Sequence, residues 1–381
     1  MRPSARALFG KQLVRLRVEE IVPAAIDRVL RTHESQSDSY RDEWGNWDVQ
    51  VGQGANQLVS PDFDRYVIPG TATWPGGAPF AVCLTHDLDA IDHFSWAEYR
   101  IRIARAPFVS KVRSLLGFLK NRILLRRAQI WSFEDWLSLE RQYGVRATWF
   151  VPPEDPHRPS PHDCSYRYDH SVHFEKGSRI PFDQALRQLL QEGHEIGLHG
   201  SISAALDADE LRRQRKHLSE TVRAPINSLR MHYLRFDPES TPRAVADAGF
   251  EVDSTIGFNR GVGFRASTSL PHRLTDPRTK EILDVVEVPF QIQEGALFRD
   301  WCLGLGMAKA KERTLEIVDA VEVAGGVLGL VYHPHLFTDP SVQEHFRWIL
   351  EELKRRRAVF LTVTEAARAV GAQTVAGNDA P

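Results

Sequence analysis

The strongest constraint on this chain is a rhythm of short apolar runs, each stopped by a carboxylate, histidine or arginine, with longer amphipathic stretches between them. The first run reads Ala81-Val82-Cys83-Leu84-Thr85-His86-Asp87-Leu88-Asp89. Glu195-Ile196-Gly197-Leu198-His199-Gly200-Ser201 follows, then Leu229-Arg230-Met231-His232-Tyr233-Leu234-Arg235, then Asp253-Ser254-Thr255, and last Leu330-Val331-Tyr332-His333-Pro334-His335. Such alternation predicts strands and helices around a largely parallel sheet, an α/β fold. Polar groups that end buried strands converge on one mouth of an α/β barrel, where catalytic groups sit.

Several elements can be placed from the pattern. Residues 147–151 (Ala147-Thr148-Trp149-Phe150-Val151) read as a strand after a helix that Ser132 can cap, with Trp136, Leu137 and Leu139 on its core face. Helices over 182–191, 208–222 and 315–323 precede strands over 195–198, 228–230 and 327–332. Residues 1–75 read as an N-terminal lead-in, with a short basic helix over 13–30 and a turn-rich stretch after it. Residues 76–370 carry the rhythm, and 371–381 read as a disordered tail. The segment 99–133 departs from the rest: it carries Arg100, Arg102, Arg105, Lys111, Arg113, Lys120, Arg122, Arg126 and Arg127 and no acid. A basic helical insertion of this kind suits an anionic membrane surface or the approach to an acidic substrate, and equally a helix packed on the barrel with a solvated basic face.

A formal net charge of -2 gives no overall excess of Lys and Arg, so no nucleic acid partner is expected. Cys83, Cys164 and Cys302 lie far apart, without metal-binding spacing, and three cannot complete a disulfide framework; a reducing compartment is the simpler reading. The N-terminus lacks a continuous apolar signal segment and no run approaches the length of a membrane span. A cytoplasmic protein is expected, associated with a membrane only through its basic segment.

The polar residues at the run ends suggest chemistry. With one residue between them, Asp87 and Asp89 leave the same face of a strand, while His86 and Leu88 leave the other. Two carboxylates in one pocket raise each other's pKa unless a cation neutralises them, which suits one acid that binds a metal and one that accepts a proton. The plainer reading is a pair of caps for the next helix. An imidazole at His199 with one of these acids begins a zinc-type divalent site. Arg230 could orient a carboxylate or bind a substrate anion, and Arg235 reads as a salt-bridge partner. His333 and His335 share a face, and Pro334 between them fits a strand end.

In this order the stretches resemble the polysaccharide deacetylase family, carbohydrate esterase family 4, over roughly residues 80–368. Residues Ala147 to Val151 and Gly193-His194-Glu195-Ile196-Gly197 also look like stretches of that family. The resemblance implies a distorted (β/α) barrel and a hydrolase that acts on a carbon–nitrogen bond to remove an acyl group from an N-acylated sugar. It implies that Asp87 is the general base, Asp89 and His199 metal ligands, Arg230 the third motif, Asp253 the fourth, and His333 the general acid; His333 ends its apolar run directly, and Asp253 is read as the partner that keeps its imidazolium form available. Two departures stand out. In the family the two aspartates are adjacent and followed by Gly, whereas Leu88 separates them here, so which one binds metal stays open. The family's second ligand histidine falls at Ser203, and a hydroxyl is a poor zinc ligand.

Either His232 or His335 could supply a third ligand, or the site could hold no metal, as in relatives that hydrolyse cyclic amides. Three readings follow. The first is a deacetylase-like hydrolase with a divalent metal, zinc, acting on a carbohydrate that the expected compartment makes a nucleotide-linked or lipid-linked precursor. The second is a metal-independent amidohydrolase on a small cyclic amide. The third is a non-catalytic carbohydrate-binding barrel.

Overall fold

The apolar runs become strands buried on both faces, as a parallel sheet flanked by helices requires. The computed structural model describes residues 42, 44–46, 74–91, 131–154, 163–175 and 177–376. Strand β1 (Ala81–Asp87) is buried along its whole length. After it come α1 (Phe133–Tyr143), β2 (Ala147–Val151), the hairpin strands β3 (Ser171–His173) and β4 (Arg179–Pro181), and α2 (Phe182–Gln191). Next are β5 (Glu195–Gly200), α3 (Ala208–Val222), β6 (Ser228–Met231), α4 (Thr241–Asp247) and β7 (Val252–Asp253). The chain continues through β8 (His272–Thr275), β9 (Ile282–Glu287), β10 (Ile292–Gln293) and α5 (Glu294–Phe298). It closes with α6 (Met307–Ala324), β11 (Val327–Val331), α7 (Pro340–Arg355), β12 (Val359–Phe360) and α8 (Val363–Ala376).

The main sheet runs β10-β11-β1-β2-β5-β6-β7-β9-β8, with β12 beside the start of β1. Its neighbours are parallel except β9 and β8. Parallel neighbours need crossovers, which the helices supply. The sheet is a curled, open half-barrel, so the expected α/β distorted barrel is what forms.

Strand alternation sends His86 away from the mouth and into the layer between β1 and α1. There its Nε2 lies 2.6 Å from Glu140 Oε1 and its Nδ1 2.8 Å from the Tyr332 carbonyl. The Trp149 and Trp136 rings lie 4.3 and 4.7 Å from the imidazole. Helix α1 buries Trp136, Leu137 and Leu139 as the sequence predicts. Truncating a buried Trp of this kind to Ala costs about 3–5 kcal/mol. The helix starts where Ser132 N–H donates to the Asp135 carboxylate at 2.7 Å, and it stops at Gly144, whose left-handed φ of 60° suits glycine.

Helices α2 and α3 occupy the ranges expected of them, whereas α6 begins eight residues before the expected 315. The expected tail loses residues 371–376 to α8. The basic segment over 99–130 and the helix expected over 13–30 lie outside the described residues. Two described parts of the lead-in are tied to the barrel: the Trp74 indole donates to the Gly325 carbonyl at 2.8 Å, and the Asn46 amide donates to the Tyr233 carbonyl at 2.8 Å. Among the described residues no helix is long and apolar enough to cross a membrane.

Candidate active site

Asp87 closes β1, and Arg230 on β6 reaches across to it. The guanidinium is wholly buried. Its Nη1 donates to Asp87 Oδ1 at 2.8 Å and to Thr85 Oγ1 at 2.7 Å, while Nε and Nη2 donate to the carbonyl and hydroxyl of Ser254 at 2.8 Å each. Phe150 and Phe290 lie over it at 4.4 and 4.9 Å. Gly197 makes this layer possible, because a Cβ there would sit 2.7 Å from the Phe150 ring. Of the two roles open to Arg230, orienting the carboxylate is the one its burial permits; a substrate anion cannot reach it.

Asp89, two residues beyond β1, lines the same cavity as Asp87 and gathers imidazoles. His199 Nε2 lies 3.1 Å from Asp89 Oδ1, and its Nδ1 lies 3.0 Å from the Arg230 carbonyl. His232, directly after β6, places Nε2 3.8 Å from Asp89 Oδ1 and 3.7 Å from Cys164 Sγ, with Nδ1 3.4 Å from Asp163 Oδ1. In both rings an acceptor faces Nδ1, the arrangement that puts the proton there and leaves Nε2 a lone pair for a metal. One donor atom from each of Asp89, Cys164, His199 and His232 lies within 4.8 Å of all the others. Metal bonds of about 2.0–2.3 Å set tetrahedral ligand atoms about 3.3–3.7 Å apart. The Asp89–His199, Asp89–His232 and Cys164–His232 separations of 3.1, 3.8 and 3.7 Å are close to that, so these residues could hold a metal ion. Burial opposes the charge on Asp89, but the His199 hydrogen bond and the neighbouring His333 and His232 hold its carboxyl well below the usual carboxylate range.

Ser203 takes no part. It is exposed on the 3-10 turn Ile202–Leu206, and the imidazole expected there comes from His232 instead. His335 is buried with its ring 5.6 Å from that of His333, outside the donor group. Cys164, which has no metal-binding spacing in the sequence, joins the group from between β2 and β3.

His333 stands two residues past β11. Its Nε2 lies 3.5 Å from Asp89 Oδ2, and its Nδ1 lies 3.0 Å from Glu294 Oε1. Burial disfavours the imidazolium, yet Glu294, Asp89 and Asp87 together push its pKa up to about 9. The expected partner, Asp253, is elsewhere. It accepts a hydrogen bond from Thr255 Oγ1 and pairs in register with Glu287 on β9. The reason is topological: β7 lies beyond β1, β2, β5 and β6 from β11, while β10, which leads into Glu294, adjoins β11. Glu294 carried no comparable signal, since the residues before it, Gln291-Ile292-Gln293, are not an apolar run. Burial raises the pKa of Asp253 to about 6, and burial with the Asp253 charge raises Glu287 well above the carboxylate range. Asp253 Oδ2 and Glu287 Oε2 have no hydrogen-bond partner among the described residues.

Aromatic rings form the rim. Trp44 stacks on Tyr233 with centroids 4.0 Å apart, and Trp301, 58% exposed, lies beneath the guanidinium groups of Arg299 and Arg260 at 5.2 and 5.9 Å. Tyr233 and Leu234 take left-handed φ values of 53° and 54°, which side chains rarely adopt. The Asn46 and Asn259 amides both donate to the Tyr233 carbonyl, at 2.8 and 2.7 Å, and hold this turn.

No protein-family model matches the chain, and no curated protein matches it. Solved structures do. A Mycobacterium smegmatis protein assigned to the polysaccharide deacetylases superposes with a TM-score of 0.52 at 21% identity, covering 81% of this chain and 96% of that one. The Puue allantoinase gives a TM-score of 0.51 at 15% identity, covering 78% and 92%. At these identities the likeness is one of fold.

Proposed function

We propose that the chain is a hydrolase that removes an acyl group from an N-acylated sugar or glycan precursor, assisted by zinc held by Asp89, His199 and His232. The observation that carries this reading is the lining of one cavity. An arginine-held carboxylate, the His/His/Asp donors and a carboxylate-backed imidazole all face it. A divalent ion among those donors would polarise the amide carbonyl and acidify water. The remaining work falls to the chain's own groups. Arg230 engages one oxygen of Asp87 and leaves the carboxylate able to take the water proton. His333, held by Glu294, carries the proton that the leaving amine needs. The Trp44–Tyr233 stack and Trp301 offer ring faces to a sugar. The fold shared with the Mycobacterium smegmatis protein agrees with an acylated-sugar substrate, and the fold shared with the Puue allantoinase agrees equally with an amide of another kind.

The metal-free, cyclic-amide reading drew on Ser203, and His232 in the donor group removes that reason. The test is metal content and acetate release by protein purified without chelators, across free and nucleotide-linked N-acetylated sugars. Exhaustive chelation is expected to abolish release and zinc to restore it. Full acetate release after chelation would overturn the metal-assisted step, hydrolysis of a small cyclic amide with no acetate release from any sugar would favour the cyclic-amide reading, and sugar binding without release by the metal-loaded protein would favour the non-catalytic one.

A further inference from the structure

The base, the acid and three metal donors account for hydrolysis without a thiol, yet Cys164 is buried against the donor group, 8% exposed and 3.7 Å from His232 Nε2. Its neighbour Asp163 fixes the spot: Asp163 Oδ1 accepts the Ile202 N–H at 2.7 Å and faces His232 Nδ1 at 3.4 Å. One short piece of loop therefore orients one donor and presents another. Catalytic zinc sites keep one of four positions open, whereas sites with four protein ligands are closed. Asp89, His199, His232 and Cys164 together fill all four.

We propose that Cys164 is a displaceable fourth ligand that closes the resting site, so that hydrolysis proceeds only once its thiolate has left the ion. This rests on the metal-assisted reading above. Binding would release the thiol proton to solvent and form a metal–sulfur bond; displacement would break that bond, with the sulfur taking a proton back from solvent and an oxygen donor taking the position. No oxidant or reductant is involved. Cys83 cannot substitute, since it sits on β1 with its thiol toward the Thr362 carbonyl, 3.8 Å away, and burial pushes its pKa up.

X-ray absorption on the zinc-loaded full chain is expected to show one sulfur at about 2.3 Å. The cobalt-loaded chain is expected to show a thiolate-to-cobalt charge-transfer band that saturating acetohydroxamate, a chelator binding through two oxygens, bleaches. Cys164→Ser should keep one metal per chain, lose both sulfur signatures and release acetate severalfold faster. Zinc bound with only nitrogen and oxygen neighbours would overturn the cysteine proposal and leave the hydrolase reading standing; no bound metal would end both. A band that survives acetohydroxamate, or a folded Cys164→Ser with unchanged or slower turnover, would overturn the displacement.

Discussion

Asp87 and Asp89 are two residues apart and end in different chemical company, one held by a guanidinium and the other by imidazoles. Asp87→Asn should therefore keep the fold and the metal content while turnover falls about 100-fold or more, the usual worth of a general base. Near-normal turnover with full metal would assign the base elsewhere. Glu294 is a positioning residue that acts through His333, and its signature is in the pH profile. An acid must be protonated, so activity should fall as pH rises through the His333 pKa, which Glu294 raises above the usual imidazole value. Glu294→Gln removes the main raising influence, and the alkaline limb should move to lower pH; an unmoved limb would remove Glu294 from this role. At this scale the sequence showed which residues end strands, because period-two alternation and apolar runs are local. It did not show which residues meet. Asp253 ends β7 and Glu294 follows β10, two strands of two residues each, and only the strand order decides that Glu294 reaches His333. Cys164 had no spacing signal at all, since its partners lie at 89, 199 and 232.

Among the elements, the long periodic ones were legible. Helices α2 and α3 match their expected ranges because ten or more residues of amphipathic pattern fix phase and ends. Strands β7, β10 and β12 have two residues each, too few to show alternation, and the antiparallel turn-back of β8 onto β9 leaves no periodic trace. The β7–β9 pairing sets Asp253 beside Glu287 in the core, and this gives a pH effect with a definite sign. Both folded pKa values lie above the ordinary carboxylate range. Their contribution is thus most favourable below about pH 4, where unfolded carboxyls are protonated, and is lost as pH rises through about 6. Glu287→Gln should gain in melting temperature over the wild type as pH is raised from 4 to 8. A gap independent of pH would mean that burial does not raise the Glu287 pKa in the folded chain.

For the molecule as a whole, the lead-in is part of the site. Asp42 and Trp44 line the cavity, and Asn46 clamps the left-handed turn after His232. Asn46→Ala removes its donation to Tyr233 and the bond it accepts from the Phe236 N–H. The expected loss is about 1–3 kcal/mol by urea denaturation, with weaker zinc binding in a competition titration. Unchanged zinc affinity would mean that the turn holds itself. The order of strands also has a consequence for synthesis on the ribosome. Ala81 pairs with Val327 and Val359, so one flank of β1 waits for about 250 further residues, roughly ten to fifty seconds at about 5–20 residues per second. During that interval a strand edge that begins with four apolar residues, Ala81 to Leu84, is open to other nascent chains. A product cut short at residue 326 should accumulate as aggregate, and bacterial expression at low temperature or with added chaperone should improve the yield of the full chain.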